Sequence, residues 1–122
     1  MRTFKNSWFT RFAAKEGITD GELKAIVNDV LETGQAEANL GGGVYKVRVA
    51  RPGEGKSGGH RVIVFFKSEF RTFSVYGFEK SDRANIGQRE KRDFKKNAKD
   101  DFALTDEQIE AWLRRESLVE VF

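Results

Sequence analysis

The sequence predicts an α+β fold: an N-terminal helical hairpin packed on a small twisted antiparallel sheet, with additional helices toward the C-terminus. Three observations carry this expectation. From Val44 to Phe78, the runs V-Y-K-V-R-V-A, R-V-I-V-F-F-K and R-T-F-S-V-Y-G-F are separated by turn residues, the pattern of consecutive antiparallel strands. Before them, apolar residues recur at three- and four-residue spacing in two segments split by Gly17, as in a pair of helices. After them come a strongly charged helical segment and a Thr105/Gln108 capping box. The 122 residues are expected to form a single domain over 1–122, long enough to bury a core without staples.

Taken in order, Met1 to Lys5 reads as a short edge strand leading into the first helix. Asn6 or Ser7 caps that helix, Trp8, Phe9 and Phe12 form its apolar stripe, and Gly17 ends it. Thr19 or Asp20 opens a second helix that runs to about Thr33 and buries Leu23, Ile26, Val27, Val30 and Leu31, with Gly34 as its stop. Gln35 to Gly43 reads as a loop whose closing glycines set the approach to the sheet. In the first strand, Tyr45, Val47 and Val49 alternate with Lys46, Arg48 and Ala50, giving one apolar and one cationic face. The unbroken apolar run Val62 to Phe66 marks a central strand covered on both faces.

In the third strand, Phe73, Val75 and Phe78 point to the core, while Thr72, Ser74 and Tyr76 share the opposite face. Whether Tyr76 joins Lys46 and Arg48 depends on the register, which the sequence leaves open. Ser81 or Asp82 caps a third helix from Arg83 to about Lys99, rich in cations that include Arg89 and Lys91. A last helix turns Ile109, Trp112 and Leu113 inward, and the ending L-V-E-V-F alternates as one further strand on the sheet edge.

Composition removes several function classes. The chain has no cysteine and one histidine, His60, without carboxylates at ligand spacing, so neither a disulfide framework nor a metal site is expected, nor any cofactor. No secretory leader stands at the start and no apolar run approaches a membrane span, so a soluble cytoplasmic protein with no membrane partner is expected. The net charge of +3 is unevenly spread. Residues 44–83 carry nine Lys/Arg against four Asp/Glu, whereas residues 101–122 carry two against six. A basic middle between near-neutral and acidic ends suits RNA, and equally an acidic protein partner.

Between the first two strand runs lies R-P-G-E-G-K-S-G-G-H, with Gly53, Gly55, Gly58 and Gly59 among Arg51, Lys56, His60 and Arg61. Glycines let the backbone come close to a ligand and adopt positive φ, and the surrounding cations suit a phosphate backbone. The whole string is more specific than its parts. R-P-G-E-G-K-S-G-G-H-R, a strand, and then V-Y-G-F-E-K-S-D-R-A-N-I resembles the RelE/HigB group of toxins from type II toxin–antitoxin modules. The resemblance is closest over Tyr45 to Ile86, and the flanking helices share its layout.

That resemblance implies a RelE-like toxin: a ribosome-dependent, metal-independent mRNA endonuclease acting in the 30S decoding site, partnered by a cognate antitoxin. It also implies site residues. Lys56 is the candidate base or phosphate clamp, and Arg61 the stabiliser of the transition-state phosphate. Lys80 and Arg83 are candidates for leaving-group acid or backbone contact, and Tyr76 for base stacking or phosphate alignment. His60 stands where the family pattern has an aromatic residue and is a candidate acid/base group. Lys46, Arg48, Arg51, Arg89 and Lys91 are candidate nucleic-acid contacts. Two other readings stay open: a DNA gyrase inhibitor like the related ParE branch, and a non-catalytic RNA- or ribosome-binding module. A pure binder needs no converging cations, which favours the nuclease.

Overall fold

The computed structural model describes residues 1–34, 36–49, 59–67, 71–83 and 85–122. The elements run β1 (Arg2–Asn6), α1 (Ser7–Glu16), α2 (Asp20–Thr33), β2 (Ala38–Gly41), β3 (Val44–Val49), β4 (His60–Lys67), β5 (Arg71–Glu79), α3 (Gln88–Phe102), α4 (Asp106–Arg114) and β6 (Leu118–Val121). The six strands form one sheet in the order β2-β3-β4-β5-β1-β6.

Local chemistry explains the helix ends. The Asn6 side chain accepts a hydrogen bond from the Phe9 amide at 2.7 Å, and Gly17 closes α1 at φ 73°. Thr19 and Gly34 do the same for α2, and Thr105 with Gln108 forms a reciprocal capping box on α4. α1 and α2 lie on one face of the sheet, where Phe9, Ala13, Leu23 and Val27 bury against Val47, Val49, Val62 and Val64. α3 and α4 cover the other face, where Ala98 and Ile109 bury against Phe4, Ile63, Phe65 and Phe73. β4 therefore feeds side chains to both cores, as its unbroken apolar run requires.

The expected architecture needs correction. The chain opens with a strand and not with a helical hairpin, and the sheet is mixed and not antiparallel. β1 pairs parallel with β5, from Arg2↔Arg71 to Lys5↔Ser74, and antiparallel with β6. It is thus an inner strand, and β6 forms that edge of the sheet. Phe4 is fully buried with its ring stacked on its ladder partner Phe73 at 5.4 Å, and β6 takes up the hydrogen bonds of the strand's other side.

Three further differences follow. Ala38–Gly41, expected as loop, adds β2 beyond β3. α3 starts at Gln88 and not at Arg83, because β5 persists to Glu79 and is followed by a turn in which the amides of Asp82 and Arg83 bond to the Glu79 carbonyl. Finally, the ladder between β4 and β5 shifts between Ile63 and Val64, so that Ile63 pairs Tyr76 while Val64 pairs Ser74. Val75 is the extra residue of this β-bulge. Tyr76 consequently leaves the face of Thr72 and Ser74 and joins that of Ile63 and Phe78.

Candidate functional site

Residues paired across a ladder share a face, so the registers gather the cations. Arg48 pairs Arg61, Lys46 pairs Ile63, Ile63 pairs Tyr76, and Arg61 pairs Phe78. Lys46, Arg48, Arg61, Tyr76 and Phe78 therefore occupy one face of β3, β4 and β5. Two arginines directly opposite one another are unfavourable unless anions surround them. Glu37, just before β2, supplies one. Its carboxylate accepts from Arg61 Nε at 2.7 Å and lies 3.3 Å from Lys46 Nζ, which also donates to Asn85 Oδ1 at 3.0 Å.

Arg61 and Lys46 are deeply placed, 4 % and 8 % exposed, whereas the Glu37 side chain is about a third exposed. Burial pushes the Glu37 carboxyl up. The Arg61 charge and the hydrogen bonds from Lys46 and Arg61 outweigh that, and hold it below the usual carboxylate value.

A second cluster stands beside the first. Arg83 donates to the Tyr76 hydroxyl at 3.2 Å and to both oxygens of Glu90, and its guanidinium lies over the Phe78 ring at 5.4 Å. The hydrogen bond with Glu90 raises Arg83 further above its already high value. Arg83 and the Gly87 amide in turn hold Glu90 below the ordinary carboxylate range. Tyr76 sits between Trp8, at 4.6 Å, and Phe94, at 5.7 Å, so its ring is fixed from two sides.

Strand parity sends His60 the other way from Arg61. His60 is 2 % exposed, its Nε2 is 3.3 Å from Glu16 Oε2 and 3.6 Å from Glu79 Oε1, and Phe12 meets the ring edge-on. Phe12 reaches there because Gly77 has no side chain: a Cβ at that position would collide with the Phe12 ring. Lys80 is exposed in the turn after β5, and its amide bonds to the Gly59 carbonyl at 3.2 Å.

Of the residues expected from sequence, Lys46, Arg48, Arg61, Tyr76 and Arg83 thus come together, and His60 sits on the opposite face. Arg89 and Lys91 lie in the first turn and a half of α3, with Arg89 exposed and Lys91 half-buried. Lys56 and Arg51 lie outside the described residues. Sequence reasoning did not find Glu37, Asn85 or Glu90. Only Glu90 carried a local signal, its place three residues after the helix-capping Gly87. No helix among the described residues is long and apolar enough to cross a membrane. In a comparison with protein families, the family described as "RelE toxin of RelE / RelB toxin-antitoxin system" matches residues 1–121, from the first strand to the last.

Proposed function

The chain belongs to the RelE toxin family, the toxins of RelE/RelB toxin–antitoxin systems, and on that footing we propose that it is an endoribonuclease that cuts mRNA on the ribosome and is restrained by a cognate antitoxin. The observation that carries this reading is the side-by-side arrangement of Lys46, Arg48 and Arg61 on one sheet face, with Tyr76 on the same face and Arg83 bonded to its hydroxyl. Converging cations suit a phosphate that gains negative charge in its transition state.

In the proposed reaction, the 2′-oxygen of one ribose attacks the adjacent phosphorus and the bond to the 5′-oxygen breaks. The 2′-hydroxyl proton passes to a base, and the departing oxygen takes a proton from an acid. The products are a 2′,3′-cyclic phosphate and a 5′-hydroxyl. Arg61 meets the phosphate with its planar fork of donors, backed by Lys46. The phosphate takes the position of the Glu37 carboxylate, which holds both cations in place in the absence of RNA. Tyr76, its ring held by Trp8 and Phe94 and so not offered to a base, aligns the phosphate through its hydroxyl.

Arg83 contacts the RNA backbone and does not act as the acid, because arginine keeps its proton and Glu90 strengthens that hold. The leaving-group proton falls to Lys80, and the base or clamp to Lys56. Arg48, Arg51, Arg89 and Lys91 extend the backbone contacts. The test is translation of a reporter mRNA with added protein, followed by primer extension. Discrete cuts within codons support the reading, and intact mRNA with blocked DNA supercoiling would favour the gyrase inhibitor.

A further inference from the structure

We propose that Glu16, His60 and Glu79 form a binding site for one divalent transition-metal ion of the zinc class. The three residues come from the end of α1, the start of β4 and the end of β5, and one ligand atom from each lies within 4.8 Å of the other two. The His60 Nε2 separations of 3.3 and 3.6 Å bracket the distance between neighbouring ligands in a tetrahedral site, about 3.4 Å for metal–ligand bonds of about 2.0–2.1 Å. A nitrogen with two carboxylates suits zinc better than magnesium or calcium, which take oxygen ligands and keep their waters.

The surroundings favour a cation at this point. Glu16 is the last residue of α1, where the helix dipole is already negative, so its carboxylate is placed against the usual preference. His60 and Glu79 are directly paired in the ladder, and Phe12, one helical turn before Glu16, packs on the imidazole through the gap at Gly77. Two strand ends and a helix end, all on rigid elements, thus aim three donors at one another. The side chains have further neighbours in the protein, with which the ion competes.

The site stands apart from the proposed phosphate chemistry. His60 and Arg61 project from opposite faces of β4, so the ion does not meet the reacting phosphate. It clasps the first residue of β4 to the end of α1 and the end of β5. Ion binding here and RNA cleavage on the opposite face are therefore separable properties of the chain.

The test uses the full-length, untagged chain freed of metal, titrated with ZnCl2 by calorimetry, and with MgCl2 as a control. One zinc ion per chain is expected, with no response to magnesium and a zinc-dependent rise in Tm. Co2+ adds the strong visible absorption of a tetrahedral site. Glu79→Gln and Glu16→Gln keep size and hydrogen bonding. Each is expected to weaken zinc binding by at least about tenfold, the lower end of what even an outer partner contributes. Their far-ultraviolet spectra report whether they fold. Absence of stoichiometric binding, or binding that both variants leave unchanged, would overturn the proposal.

Discussion

Glu37→Gln separates the two things Glu37 does. The carboxylate accepts from Arg61 at 2.7 Å and lies 3.3 Å from Lys46, both buried cations, while about a third of its own side chain meets solvent. Removing one partner of a fully buried pair costs about 3–5 kcal/mol. Here the glutamine amide keeps an acceptor oxygen and water screens one side, so a loss of about 1–3 kcal/mol is expected at pH 7.

The loss should depend on pH. Because the folded-state value of Glu37 is lowered, its stabilisation is complete above its ordinary value of 4.5 and is lost as pH falls through the folded value. Urea denaturation of wild type and Glu37→Gln should therefore diverge at pH 7 and converge in acid. RNA binding should move in the opposite direction, because the carboxylate competes with phosphate for the same donors. Fluorescence anisotropy with a 2′-O-methyl RNA oligonucleotide, under conditions where both proteins are folded, should show binding tighter by about three- to tenfold, or about 0.7–1.4 kcal/mol. Weaker RNA binding by Glu37→Gln, or a stability gap as large in acid as at neutrality, would refute this account.

Other outcomes follow from the same geometry. Arg61→Ala should lose about 10²–10³ in cleavage rate; because Arg61 is buried, Arg61→Lys is the cleaner probe, and wild-type cleavage by the lysine variant would remove Arg61 from a bidentate role. Asp101, pushed up to about 6 by burial and by the neighbouring Asp100 charge, lines a cavity of about 360 Å³ with Asn97, Phe94 and Trp112. A carboxyl whose folded-state value is raised costs stability above that value, so Asp101→Asn should stabilise the fold by about 1–2 kcal/mol at pH 7.5 after allowance for solvent screening, and by less as pH falls from 6 toward 4, which urea melts at both ends can read. Gly77→Ala forces a methyl group into the Phe12 ring and should cost about 1–3 kcal/mol in thermal or urea unfolding; an unchanged stability would mean that α1 moves freely on the sheet.

The parts legible in the sequence are those governed by neighbours in the chain. Asn6, Thr19 and Thr105 cap the helices as their spacing requires, and Gly17 and Gly34 end two of them. The unbroken Val62–Phe66 run announces a strand between two cores. The parallel pairing of β1 with β5 joins segments about seventy residues apart, and nothing in Arg2–Asn6 encodes which strand will receive it. The bulge at Val75 did leave a trace: apolar spacing jumps from two, between Phe73 and Val75, to three, between Val75 and Phe78. Read as a bulge, that jump puts Tyr76 with Lys46 and Arg61. Glu37, and the meeting of Glu16, His60 and Glu79, had no such trace, because the fold alone brings these residues together.

The chemistry of the cut ends separates a nuclease from a binder. A defined mRNA on programmed ribosomes, incubated with the purified chain, should yield upstream fragments ending in 2′,3′-cyclic phosphate and downstream fragments beginning with a 5′-hydroxyl. A single 2′-deoxy substitution at the cut nucleotide should abolish that cut, and Arg61→Ala should slow it by at least about 10². Fragments ending in a 3′-hydroxyl, cleavage that survives the 2′-deoxy substitution, or mRNA left intact while translation stops would contradict the account.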